Sequence, residues 1–440
     1  MKILLLNQCF YPDVVSTAQH ASDLVAALAE RGHEVTVVAS TRAYDNPHVR
    51  FPTKEQWRGS RILRVPCLAL GKTAKWRRVA NFASYFLSCI LRLIFLPRFD
   101  VVIALTSPPL ISLLGALYVK LKGGHFIFWV MDLNPDEAVA AGWLNKDSTT
   151  ARVLGSLLNF SLHTADQVVV LDRFMRQRVM KKGVSAENVS IIPPWAHSDA
   201  VRYDPHGRLA FRERHGLAGK YVVMYSGNHS PCHPLSTVLG AAERLADRPE
   251  IVFCFVGGGS EFPTVSNFAV AHNLGNILCL PYQPLAELSA SLSAADLHMV
   301  VMGDPLVGIV HTCKIYNIMC IGSPVLYVGP SESHVMDIAA GNGIPLSSAN
   351  HGDVDLVVRR ILASVNFSVP DRRMVERGRS FHQDKLVPRL ADLVEALPHR
   401  AAVTTVAVNL SGPKLVHSSD PRPRAASASI AAERTYSSGD

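Results

Sequence analysis

Short apolar segments that alternate with amphipathic ones constrain this chain more than any other feature. Residues 2–7 read as a buried strand, about Ala18–Arg31 as an amphipathic helix stopped by Gly32, and Glu34–Ala39 as the next strand. Strand, helix and strand in that order make a βαβ unit, so the strands lie parallel with a right-handed crossover. The pattern recurs through Val101–Leu105, Pro108–Lys122, Phe126–Val130, Val168–Leu171 and Ile191–Pro193. A second series opens at Tyr221–Ser226 and continues through Ile251–Val256, Ile277–Cys279, Leu297–Val301 and Val325–Val328. Two consecutive doubly wound α/β sheets follow, joined where Pro-Pro-Trp and a charged run interrupt the periodicity between Pro193 and Arg214.

The expected domains are 1–200, 201–373, a closing helix over 374–397 that crosses back to the first domain, and a tail over 398–440. The tail is rich in Ala, Ser, Thr, Pro and Arg and buries too little apolar surface to fold. A length of 440 residues suits two ordinary domains. The eight cysteines form no Cys-x-x-Cys pair and several sit in apolar strands, so they read as free thiols in a reducing, cytoplasmic compartment, not as a zinc site. The first six residues are too short an apolar run for a signal peptide.

The net charge of +8 is unevenly placed. Gly71 to Arg98 carries Lys72, Lys75, Arg77, Arg78, Arg92 and Arg98 with no acid among them, and encloses a helix over about residues 76–97. Arg92 interrupts its apolar run short of the roughly 18 residues a span requires. The broad face of Phe82, Phe86, Leu87, Ile90, Leu91 and Ile94 fits either an interfacial helix on an anionic membrane or a core helix of the first domain. Nucleic acid is not indicated, because the basic residues lack stacking aromatics and base-reading polar groups.

Ligands of open α/β sheets bind at the carboxyl ends of the strands, and six such places carry suitable chemistry. Ser16 and Thr17 follow the first strand, as an acceptor-side contact or as a helix cap. Asp132 follows Trp129 and Val130, with Asp136 and Glu137 close by; a carboxylate there can manage a proton or cap the next helix. Gly227, Asn228 and His233 follow one strand of the second series, and Gly257 and Gly258 another, where backbone can approach a phosphate. Tyr282 could flank a base. Gly308, Ile309, Val310, Thr312, Lys314 and Asn317 form a loop that feeds a helix N-terminus, whose unpaired amides and dipole favour an anion. Lys314 would neutralise a diphosphate and help it leave.

In order along the chain, Phe10-Tyr11-Pro12, Arg31-Gly32-His33-Glu34-Val35, Thr106-Ser107-Pro108-Pro109, Asp132-Leu133-Asn134-Pro135, Tyr225-Ser226-Gly227-Asn228, Phe255-Val256-Gly257-Gly258-Gly259, Cys313-Lys314-Ile315-Tyr316 and Gly322-Ser323-Pro324-Val325 resemble glycosyltransferase family 4, near the branch that builds bacterial surface polysaccharides. The resemblance covers roughly residues 1 to 395. It implies the GT-B fold, two Rossmann-like domains facing across a cleft, and retaining transfer of a sugar from a nucleotide-sugar donor to a saccharide or lipid-linked saccharide, with no cofactor and no essential metal. It places donor contacts on the second domain, the acceptor on the first, and Asp132 and Lys314 in catalytic roles. The protein would then work at the cytosolic face of the plasma membrane. Two glutamates common in the family are replaced, one within Val307-Gly308-Ile309 and one by Asn317; its usual Arg/Lys pair is replaced by Asn228 and His233. A GT-B nucleotide-sugar epimerase and a non-catalytic nucleotide-sugar-binding subunit are the alternatives.

Overall fold

The computed structural model describes residues 1–44, 46, 48–68, 70, 71, 75–196, 201–366 and 369–408. The first domain runs β1 (Lys2–Leu6), α1 (Ser16–Glu30), β2 (Glu34–Ser40), β3 (Lys54–Trp57), β4 (Ser60–Val65) and α2 (Lys75–Ile94). It continues through β5 (Val101–Ala104), α3 (Ile111–Lys122), β6 (His125–Trp129), α4 (Asp136–Ala140), α5 (Thr149–Thr164), β7 (Gln167–Val170), α6 (Arg173–Lys181) and β8 (Val189–Ile191). These strands form one sheet in the order β3-β4-β2-β1-β5-β6-β7-β8, parallel except for the β3–β4 hairpin at its edge. Its near-continuous apolar strands, among them Ile3 to Leu6 and Val101 to Ala104, are buried on both faces, as parallel sheets require.

The second domain runs α7 (Pro205–Arg214), β9 (Tyr221–Asn228), α8 (Ser236–Arg244), β10 (Ile251–Gly258), α9 (Phe262–Ala271), β11 (Ile277–Leu280), α10 (Leu288–Ser293) and β12 (Leu297–Val301). Then come α11 (Lys314–Ile321), β13 (Val325–Val328), α12 (His334–Asn342), β14 (Leu346–Ala349), α13 (Val354–Ser364), α14 (Arg372–Gly378) and α15 (Gln383–Val408). The order β11-β10-β9-β12-β13-β14 is wholly parallel. Connections leave in opposite directions from β9 and β12, and the crevice between those strands is where a doubly wound sheet binds its ligand.

The expected closing helix over 374–397 falls on two helices, because Arg379–Phe381 makes a 3-10 turn between α14 and α15. The tail expected from 398 begins inside α15, which carries Pro388 and Pro398 and continues to Val408; residues 409–440 lie outside the described residues. Before Pro398, α15 docks on the first domain. Arg31 bonds Asp392 at 2.7 Å and Glu395 at 2.9 Å, and His33 bonds Glu395 at 2.7 Å. The chain thus passes between the domains twice, and the passages meet: Ala196 donates its N–H to the Phe381 carbonyl at 2.9 Å and bridges His382.

The expected interfacial helix is α2. It buries Tyr85, Cys89, Leu93 and, just past its end, Leu96 against the first core, while Leu87, Ile90, Leu91, Ile94 and the adjoining Phe95 remain exposed. One face is core and the opposite face is apolar and open. Among the described residues no helix is long and apolar enough to cross a membrane. All eight cysteines are free.

Candidate active site

Lys314 is the first residue of α11, behind Cys313, whose side chain makes no cap hydrogen bond. Its stem crosses Gly227 and its Nζ stands 5.0 Å from the centre of the Tyr225 ring. Among the described residues it has neither a carboxylate partner nor a hydrogen bond. Burial pulls the ammonium down from 10.5 to about 8. Such a group in a cleft, beside the unpaired amides of a helix start, is arranged for an anion.

The floor below Lys314 is glycine for steric reasons. Gly227 has φ +132°, and a Cβ there would meet Lys314 Cε at 2.7 Å. Gly257 pairs with Gly227 across β9 and β10, has φ +139°, and would place a Cβ 2.1 Å from the Gly227 carbonyl oxygen. Both strands therefore extend beyond their apolar runs to Asn228 and Gly258. The Tyr282 ring lies against Gly258, so Gly227, Gly257, Gly258, Tyr282 and Lys314 form one continuous surface, with exposed Asn228 at its rim.

His233 lies close enough to Lys314 to feel its charge. It is buried, Nδ1 donates to the Val301 carbonyl at 2.7 Å, and burial followed by the nearby Lys314 charge keeps it neutral, well below its ordinary value. The Nδ1 bond anchors the loop it sits on. His229, whose value burial lowers to about 4, has a buried Nε2 without a partner, and the buried Thr312 hydroxyl is likewise unpartnered. Asn317 is half-buried on α11.

The loop from 307 to 311 rests on the first domain. Ile309 buries its side chain in the first-domain core, beside partly buried Val310, and its carbonyl accepts the Leu133 N–H at 2.9 Å. Arg178 Nε donates to the Val307 carbonyl at 2.7 Å. Gly308 abuts α6, where a Cβ would lie 2.6 Å from the Phe174 carbonyl carbon.

From the first domain comes the Asp132 turn. Asp132 does not cap α4, whose N-cap is Pro135, and Asp136 is held by Lys182 at 2.9 Å. Burial, then the Glu137 charge, pushes the Asp132 carboxyl up to about 8. Glu137 is also raised by burial, against hydrogen bonds from Asn134 and Cys232 that favour its charge. Cys232 Sγ donates to Glu137 Oε1 at 3.6 Å, so this carboxyl pair meets the second domain directly. Two neighbouring buried carboxyls retain a proton near neutral pH and can exchange one with a hydroxyl. Ser16 opens α1 and lies 3.3 Å from His20 Nδ1; its hydroxyl also hydrogen-bonds Cys313 and so touches the start of α11. Thr17 follows it in the first turn of α1.

Sequence reading left Glu137 undecided and missed a buried trio, Asp172, His311 and His334, the one group among the described residues with metal-ligand chemistry and spacing. The Thr312 N–H points at His334 Nε2 at 3.1 Å, so that nitrogen is the acceptor and Nδ1 carries the proton. His311 has both nitrogens engaged, with Asp172 and with Tyr316. The trio is therefore a hydrogen-bond network and a poor ligand set. No sequence signal joins Asp172 to His311 across 139 positions.

Residues 17–195 match the model of a glycosyl transferase 4-like domain. The chain is 27% identical over 335 residues to the putative colanic acid biosynthesis glycosyl transferase WcaI of Escherichia coli, covering 73% of this chain and 82% of the relative. It is 25% identical over 347 residues to the probable glycosyltransferase WbjE of Pseudomonas aeruginosa, covering 78% and 84%. Sucrose-phosphate synthase from Thermosynechococcus elongatus superposes with a TM-score of 0.71 at 16% identity, over 92% of this chain and all of that one. HepE of Anabaena, solved with UDP-glucose, superposes at 0.60 and 15% over 92% of this chain and all of that one. The chain is a glycosyltransferase of the GT-B fold, with a glycosyl transferase 4-like domain in its first half.

Proposed function

We propose that the protein transfers a sugar, with retention, from a nucleoside diphosphate sugar to a saccharide acceptor in the assembly of a bacterial polysaccharide. The observation that carries this reading is Lys314, a desolvated ammonium without a counter-ion at the start of α11, above a glycine floor that would admit a diphosphate. Tyr282 and Gly258 offer a face for the base, and the HepE complex with UDP-glucose supports a nucleoside diphosphate sugar as the donor. The name of the Escherichia coli relative, a putative colanic acid biosynthesis glycosyl transferase, points to a polysaccharide pathway.

Departure of the diphosphate leaves positive charge on the sugar and negative charge at Lys314 and the α11 amides. The positive charge of those groups stabilises the leaving group without a metal. A departing phosphate oxygen can take the acceptor proton on the same face as the attack, which retains configuration. Where the phosphate does not take that proton, the Asp132–Glu137 pair of the first domain takes it in this reading, and otherwise it holds the acceptor hydroxyl.

The acceptor in this reading is lipid-linked, and α2 brings the enzyme to the inner face of the membrane. Leu87, Ile90, Leu91, Ile94 and Phe95, the last 81% exposed, form an apolar strip. Leu121 of α3 is 84% exposed, and its neighbour Lys122 caps the last turn of α2 through the Leu93 and Ile94 carbonyls. The absence of acids from Gly71 to Arg98 suits anionic lipid.

Calorimetric titration of the purified protein with UDP, GDP and their sugar conjugates tests the donor. Micromolar binding of one nucleotide, abolished or strongly weakened by Lys314→Ala, is expected; equal binding by that variant would remove Lys314 from the site.

A further inference from the structure

Three residues before Lys314, at His311, the chain passes through the buried network that the proposed chemistry does not use. Asp172 caps α6, its Oδ1 accepting the Met175 N–H at 2.8 Å. Its Oδ2 accepts from His311 Nδ1, also at 2.8 Å, across the domain boundary. On the far side of that ring, His311 Nε2 lies 2.8 Å from the Tyr316 hydroxyl on α11. His334 opens α12 and stacks on His311, ring centres 3.8 Å apart, while accepting the Thr312 N–H. Residues 311 and 312 are thus each held by a side chain.

The Asp172–His311 contact differs in kind from the exposed ion pairs of this protein. The side chains are 6% and 0% exposed, against 48% and 40% for Arg173 and Asp337, which join α6 to α12. A charged hydrogen bond out of water is both stronger and more directional than one at the surface. Burial tends to raise the Asp172 carboxyl, but the hydrogen bond and charge of His311 hold it down to about 2, so it stays ionised. The segment leading to α11 also spends its Val307 and Ile309 carbonyls on Arg178 and Leu133 of the first domain. Its shape is therefore set from outside its own domain.

We infer that Asp172, acting through His311, is a positioning residue for the phosphate-binding turn: the first domain sets the orientation of the α11 start, and nucleotide affinity of the second domain depends on this contact. The inference rests on Lys314 as the phosphate-binding cation. Asp172 touches no substrate itself.

Asp172→Asn keeps an acceptor for the Met175 N–H, and so the α6 cap, but turns a neutral amide toward His311. Tyr316→Phe removes only the hydroxyl on the other side of the ring. Binding of UDP and GDP by calorimetry, with thermal unfolding in parallel, reads out both variants. Asp172→Asn should weaken the preferred nucleotide about tenfold, and Tyr316→Phe in the same direction by less. Arg173→Ala, which breaks the neighbouring exposed pair, should bind as wild type does. Combined with Lys314→Ala, Asp172→Asn should add little further loss, because both act on one turn; a purely structural role would add independently. Folded Asp172→Asn and Tyr316→Phe proteins with wild-type affinity would overturn this inference and leave the Lys314 reading intact. Additive losses in the double variant would also overturn it. If Asp172→Asn fails to fold, Tyr316→Phe decides. Wild-type protein that binds neither nucleotide overturns the reading of the site, and this inference with it.

Discussion

Lys314→Met should stabilise the unliganded protein while it destroys the nucleotide site. Burial lowers the ammonium from 10.5 to about 8. At neutral pH the folded and unfolded chains both hold the proton, so the folded state bears the whole penalty, about 3 kcal/mol at about 1.4 kcal/mol per tenfold change in acidity. Methionine keeps a straight stem over Gly227 and Tyr225 but loses the cation–π contact, worth about 0.5–1 kcal/mol. Since Lys314 retains some water contact, the net gain should be about 2 kcal/mol. The sign has a pH signature. Below pH 8 the gain is complete; between 8 and 10.5 the folded wild type sheds its proton and the two proteins converge. Nucleotide affinity should meanwhile fall about tenfold to a hundredfold, the loss of a charge-assisted phosphate contact. Urea unfolding followed by tryptophan fluorescence at pH 7 and pH 10, beside calorimetry with UDP and GDP, measures both effects. A variant less stable than wild type at pH 7, or a stability gap that does not narrow at pH 10, would refute a desolvated, unpaired ammonium.

Gly227→Ala should abolish nucleotide binding in a folded protein, because the new Cβ comes within 2.7 Å of Lys314 Cε at φ +132°; circular dichroism beside calorimetry checks it. Asp132→Asn should lower turnover and flatten the rise of rate with pH toward about 8, where the raised carboxyl ionises; a rise that survives the substitution removes Asp132 from proton transfer. Leu91→Glu with Phe95→Glu should cut sedimentation with phosphatidylglycerol vesicles several-fold and leave nucleotide affinity unchanged, since both side chains are exposed while Cys89, Leu93 and Leu96 make the core contacts.

The strand–helix alternation was legible because parallel strands buried on both faces become unbroken apolar runs such as Val101 to Ala104. The β3–β4 hairpin escaped notice because Lys54–Trp57 is an edge strand of polar residues, and β14 because Leu-Ser-Ser-Ala carries little β signal. In the site, Gly227, Gly257 and Lys314 are joined by local topology: strand ends and the helix start of one sheet must converge. His233 could not be oriented from sequence, since a strand-to-helix loop can turn a ring toward ligand or toward Val301. Glu137 and Asp172 depend on the apposition of two domains, which periodicity does not encode. The apolar face of α2 was recognised, but only the structure separates the Tyr85–Cys89–Leu93 seam from the strip left outside.

The pairing of Ala196 with Phe381 and His382 sets how the cleft can work. Two covalent crossings tied at Ala196 and Phe381 favour rotation of the domains about that point over independent sliding. A rotation that opens the cleft about this point would lift the 307–311 segment from α6 and draw Glu137 away from Cys232 in the same movement. Entry of one substrate and release of the other product become mechanically the same event, and their rates should change together under any substitution at this point.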